Sequence, residues 1–234
     1  MTNKIIFTDM DNPEGVLEKP KPASEYIPEW YKESKPYLDP SGKKAPPRDG
    51  SPLATIKRCM PLWDMMTAGY IITSPYDIYI RQTPTGPEFQ WGNIQAIAFQ
   101  SMGQVQKHPY FRDINYAIRI NHPWSIKTPK GWSVMVMEPQ HQEPGPLICS
   151  SGIVDTDEFS LPMNIFIKLR DHKFEGMIPA GTPLVQVIPF KRESWESELG
   201  GQKEVAKAHS DLRKHMTVFF DAYKKFWWKR KEYK

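Results

Sequence analysis

Cysteine is nearly missing from this chain: two in 234 residues, Cys59 and Cys149, far apart and near no histidine cluster. Free thiols in a reducing compartment are the expectation, not a disulfide framework or a cysteine-ligated metal. Long hydrophobic runs are missing too. No stretch approaches the roughly 18 apolar residues that a membrane span requires. The N-terminus carries only Ile5-Ile6-Phe7 as an apolar run, too short for a secretion signal. A cytoplasmic protein, or a virion protein packaged from the cytoplasm, is therefore expected. Charge of one sign is scarce, with 31 basic and 27 acidic residues and a net +4, too mild to imply nucleic acid. The motifs of phosphate loops, nucleophile elbows and zinc proteases are absent. No Cys-x-x-Cys occurs to complete a His-x-Glu…Cys-x-x-Cys set, which excludes zinc-type deamination.

What is present is proline and aromatic side chains. There are 23 prolines against 14 glycines, with 8 Trp, 10 Tyr and 11 Phe. The aromatics exclude wholesale disorder; the prolines disfavour long helices and suit short strands joined by stiff turns. Residues 1–55 read as an irregular arm rich in Pro and aromatics, 56–195 as a β-rich core, and 200–234 as an amphipathic helix with a basic-aromatic tail, packed on the core or a neighbour. In the arm, Ser24 could cap a short turn, with Tyr26, Ile27, Trp30 and Tyr31 at near-helical spacing. The tract 39–50 reads as a loop. Residues 55–67 read as a short buried helix with Pro61 in its first turns and Met60, Trp63, Met65 and Met66 as core filler.

From Gly69 the period changes. Strands are expected at 70–74, 77–82, 88–91, 94–100, 116–120, 124–127, 132–137, 148–154, 163–169 and 184–190. Strands so short and closely spaced, without βαβ alternation, indicate a mainly β barrel or sandwich. Val205, Ala208, Leu212, Met216, Phe219, Phe220, Tyr223, Phe226 and Trp227 then recur at three and four residues. They predict one long helix over 201–228 whose apolar stripe must be buried.

One string carries a family pattern: Ile126-Lys-Thr-Pro-Lys-Gly131, the strand Ser133 to Pro139, Gly152-Ile-Val-Asp155, and Ile178-Pro-Ala-Gly181-Thr-Pro-Leu-Val-Gln186. The order resembles the dUTPase and dCTP-deaminase family over about Ile120 to Phe190, and Ala68-Gly69-Tyr70 faintly matches a further element with Ile71 where the family has Asp. The resemblance implies a β-clip fold and a homo-oligomer, in that family commonly a trimer. It implies that Asp155 is the general base orienting the attacking water, with Asp157 also kept. The chain departs from the family at Glu158, where a dUTPase has Tyr. It departs again in Pro139 to Pro146, where a phosphate-binding Arg is missing and Glu143 stands. The Gly-rich closing motif is also replaced by a helix. Triphosphate binding needs cations or backbone donors, so these departures weigh against hydrolysis. The chain is also similar to a group of proteins of tailed phages and bacteria, through Ile27-Pro-Glu-Trp-Tyr31, Thr67 to Tyr70 and Ile188 to Trp195, which implies no particular activity.

Asp9-Met-Asp11 and Asp155-Thr-Asp157 could each hold Mg²⁺, although Asp-x-Asp is common in turns. His209 and His215 are spaced wrongly for one metal-binding face. Lys224 to Lys234 holds six cations and one Glu among aromatics, a composition that can meet lipid or single strands, or merely complement a helix dipole. The expectation is a non-catalytic binding or assembly protein on a dUTPase-like scaffold, phage-associated and homo-oligomeric, with no cofactor. Its contacts would come from the arm and the long helix. The alternative is a nucleotide-binding pyrophosphohydrolase using Asp155, with Asp157 as a water or Mg²⁺ ligand.

Overall fold

A computed structural model describes residues 3–10, 17–38, 54–92, 97–105, 107–217 and 222–234. The tract 39–50, Asp11, part of the 94–100 segment, and Phe219 and Phe220 lie outside the described residues. The arm contributes β1 (Ile6–Asp9) and β2 (Lys21–Pro22), a 3-10 turn at Ala23–Glu25, and α1 (Glu29–Glu33). A second 3-10 turn, Ile56–Arg58, runs into α2 (Met60–Thr67). Four strands follow: β3 (Tyr70–Thr73), β4 (Ile78–Thr83), β5 (Gly86–Trp91) and β6 (Ile97–Phe99). After α3 (Met102–Val105) come β7 (Ile118–Lys127), β8 (Trp132–Met137), β9 (Leu147–Cys149) and β10 (Gly152–Val154). Then β11 (Pro162–Leu169), β12 (Gly176–Ile178) and β13 (Pro183–Lys191) lead to α4 (Gln202–Thr217) and α5 (Ala222–Phe226).

The chain is mainly β, and its ladders are antiparallel. One sheet runs β1-β7-β11-β9, with β6 sharing the β1 edge of β7; a second runs β10-β8-β13-β3-β2; a third is the ribbon β12-β4-β5. The sheets do not close into a barrel among the described residues, which corrects the barrel half of the expectation. All three sheets contribute to one core. Alternation places Met163, Ile165, Ile167 and Leu169 of β11 inward, against Ile118, Ile120 and Ile126 of β7, Val134 and Val136 of β8, and Val185 and Val187 of β13. Each such side chain, fully buried, stabilises the fold by about 1.5–3 kcal/mol.

Two anticipated strands merge and one splits. Residues 116–120 and 124–127 fall on a single strand, β7, which passes through Pro123. A proline in a central strand removes a ladder donor and is tolerated at a bulge. Here the β11 register jumps from Ser125↔Pro162 to Asn121↔Asn164, setting an irregularity at 122–124. On the other edge β6 stops at Ile120 and β1 starts at Trp124, so Pro123 faces the gap between them. The 148–154 segment instead breaks at Ser150-Ser151 and crosses from one sheet to the next, as β9 and β10.

The middle of β13 is buried on both faces, because α2 covers the face turned away from the core. Gln186 is fully buried there and donates through Nε2 to the carbonyls of Met65 (2.8 Å) and Ala68 (2.7 Å), while its Oε1 accepts from the amide of Gln140 (3.0 Å). Gly69 is required at the turn from α2 to β3: its φ is +69°, and a Cβ would fall 1.9 Å from the carbonyl oxygen of Val187.

Of the helix expected over 201–228, helix is described at 202–217 and 222–226, with 218–221 outside the described residues, and Trp227 and Trp228 lie beyond it. The stretch from Arg192 to Gly201 carries no regular structure and is exposed throughout. Val205 and Leu212, apolar positions of α4, are about half exposed, so this chain's own core does not cover them. Ser24 lies inside its 3-10 turn, and Pro22 occupies the cap position without a side-chain hydrogen bond.

Candidate functional site

Asp155 and Asp157 sit just after β10, and pairing explains their neighbours. Val154 of β10 lies opposite Val134 of β8, and Ser133 lies opposite Phe190 of β13. One step further along, the amide of Arg192 donates to the carbonyl of Gly131 (2.8 Å), extending the ladder past β13. The guanidinium therefore reaches across the start of β8 to the two carboxylates.

Asp157 is buried and held from three directions. Arg192 grips it through both terminal nitrogens, Nη1 to Oδ1 at 2.7 Å and Nη2 to Oδ2, and the amide of Gly131 donates to Oδ2 at 2.7 Å. The Arg192 hydrogen bonds hold its carboxyl well below the usual carboxylate range, against the desolvation that raises it. Beneath it the buried hydroxyl of Thr128 donates to the carbonyl of Trp132 (3.0 Å), so Thr156 donates to Thr128 (2.7 Å). Lys127 Nζ donates to the carbonyl of Asp157 at 2.6 Å. These contacts fix the loop before β8 to the loop after β10.

Asp155 is exposed, but it shares this network: its Oδ1 accepts from Ser133 Oγ (2.6 Å) and from Arg192 Nη1 (3.2 Å). The adjoining cleft, about 520 Å³, is lined by Val136, Ile153, Phe159, Met163, Ile165 and Phe166, with Asp155 as its single charged group. The amide of Phe159 donates to the carbonyl of Asp155 (2.8 Å).

Among the described residues no cation lines this cleft. Arg170 pairs with Glu138 at 2.9 Å beside a different cleft, formed by the 139–146 loop. Lys168 donates to the carbonyl of Tyr110 and lies 4.8 Å from that ring's centroid, and Arg112 pairs with Asp113. Arg192 is the residue that sequence reasoning missed. It lies in the quoted Ile188 to Trp195 segment, and its signal is the antiparallel pairing of β13 with β8, which no motif carries.

The other candidates disperse. Among the described residues no three His, Cys, Asp or Glu side chains converge as metal ligands would. His215 lies near Trp227, with ring centroids 6.5 Å apart. Cys149 is buried, which pushes its thiol up to about 12, and Cys59 is exposed; both are free. No helix among the described residues is long and apolar enough to cross a membrane. The arm lies over its own core: Tyr31 is buried, Trp30 Nε1 donates to the carbonyl of His141 (2.8 Å), and Gln142 donates to the carbonyl of Tyr26 (2.6 Å). No family model and no curated protein matches the chain.

Proposed function

We propose that the chain is a binding or assembly protein built on a dUTPase-like β-clip scaffold, homo-oligomeric and phage-associated, and not a nucleotide hydrolase. The observation that carries this reading is the use to which Arg192 is put. Among the described residues the one guanidinium beside Asp155, that of Arg192, is engaged by Asp157, in a pair that ties three strands of a sheet together. A general base for hydrolysis needs a substrate phosphate held within reach, which takes cations free to meet it. The cleft beside Asp155 offers apolar side chains instead, a surface suited to a protein or small apolar group.

The test is a pyrophosphate-release assay of the purified chain with the deoxynucleoside triphosphates and Mg²⁺. No release above background is the expected result. Release that is lost in Asp155→Asn would establish the hydrolase alternative and overturn this reading.

A further inference from the structure

The segment after α5 returns to the core and builds a second, larger cleft that shares no lining residue with the one at Asp155. Two anchors hold it. Trp228 Nε1 donates to both carboxylate oxygens of Asp64 on α2 (2.9 Å each), and Lys231 pairs with the same carboxylate. Tyr233 packs against Tyr70 with ring centroids 6.1 Å apart, and the Tyr70 hydroxyl donates to the carbonyl of Lys234 at 3.2 Å. The opposite wall comes from α1, the turn before α2 and α2 itself, with Tyr31, Lys57, Arg58, Met60 and Trp63. The enclosed space is about 730 Å³, the size of a small-molecule site.

Its chemistry is lopsided. Among the described residues Lys57, Arg58, Lys224, Arg230, Lys231 and Lys234 line it against one acid, Glu232. That exceeds the whole chain's +4, so outside the cleft acidic residues slightly outnumber basic ones. Lys231 is matched by Asp64, and Arg230 and Lys234 share Glu232. Lys57 gives its ammonium to a neutral acceptor, the carbonyl of Lys32 (2.8 Å), and lies 5.4 Å from the centroid of the Tyr31 ring, and Arg58 lies 5.2 Å from the centroid of the Tyr37 ring. Among the described residues that line the recess, cations therefore outnumber acids, beside four aromatic side chains.

We infer that this cleft binds a nucleoside polyphosphate, the phosphates meeting Lys57, Arg58 and Lys224 and the base lying against Trp63 or Trp228. Cations recognise the phosphates through charge-assisted hydrogen bonds, and ring faces supply stacking that a bare phosphate cannot use. A free nucleotide fits better than a nucleic-acid strand. A strand's backbone follows a continued basic groove, and outside this cleft the chain's acidic residues slightly outnumber its basic ones.

The test is titration of the full chain with ATP, dTTP, inorganic tripolyphosphate and an oligothymidylate, followed by tryptophan fluorescence and thermal stability. Both nucleotides should quench fluorescence and raise Tm. Tripolyphosphate should bind more weakly by about tenfold or more, the equivalent of one lost stacking contact. Lys57→Ala with Arg58→Ala should weaken nucleotide binding by roughly tenfold to a hundredfold, and Lys224→Glu, on an exposed helix, should weaken it without touching the core. No binding of either nucleotide would overturn the inference, as would equal affinity for tripolyphosphate or tighter capture of the oligothymidylate. Binding abolished by Asp155→Asn but kept in the Lys57/Arg58 variant would place the ligand in the other cleft, and would also overturn it.

Discussion

His122 shows how a single residue can set the pH behaviour of a fold. It is buried at the irregularity beside Pro123, where Nε2 donates to the carbonyl of Thr73 (2.9 Å) and Nδ1 accepts from the amide of Trp124 (3.3 Å). Both nitrogens are satisfied only in the neutral ring, and burial lowers its pKa from 6.5 to about 4, opposed in part by the Thr73 bond and by Asp9. The unfolded chain therefore takes up this proton first as pH falls. The contribution is complete above pH 6.5 and declines toward pH 4, a loss of roughly 3 kcal/mol. Chemical-denaturant midpoints measured across that window should fall with pH, and His122→Gln should flatten the slope. Little of this was legible beforehand, since nothing local distinguishes a buried neutral histidine from a surface one. Asp155 and Asp157 were legible as residues worth watching. Their engagement with Arg192 was not, because the partner lies 35 positions away from Asp157 and is delivered by strand pairing.

At the scale of elements, apolar alternation located most strands to within a residue or two, as in β8, β11 and β13. It failed where continuity depends on the neighbours. Pro123 reads as a break but is absorbed by a gap in both flanking ladders, and Ser150-Ser151 reads as mid-strand but is where the chain changes sheets. The C-terminal helix shows a different limit: periodicity specifies that a stripe exists, not what covers it. The stretch between β13 and α4 is the exposed counterpart of that uncovered helix. Glu193, Glu196 and Glu198 lie there outside any helix or strand, where backbone is open to proteases. Limited digestion with a glutamyl endopeptidase should cut first within 193–198, releasing no fragment from the β core until later. A first cut within the sheets would contradict that order.

For the whole molecule, three sheets sharing one core leave a set of large apolar side chains outside it. Trp195 is 86% exposed, Leu199 fully so, and Val205 and Leu212 continue the series on α4. Under the assembly reading these exposed side chains meet a second copy of the chain. Light scattering should then give a mass above that of one chain, and Leu212→Glu should return it to one chain with the Tm of the core unchanged. A monomer at all concentrations would remove self-assembly from the proposal.

The excursion carrying α4 is fastened at both ends, to β8 and the loop after β10 through Arg192, and to α2 through Trp228 and Lys231. Mechanically it is a strap with two buckles. A partner that pulls on α4 loads the Arg192–Asp157 buckle across neighbouring strands, where backbone ladders and a buried ion pair resist together. The second buckle rests on side-chain contacts with Asp64 and Tyr70, beside the wall of the basic cleft, so tension would loosen the cleft before it disturbed the sheets.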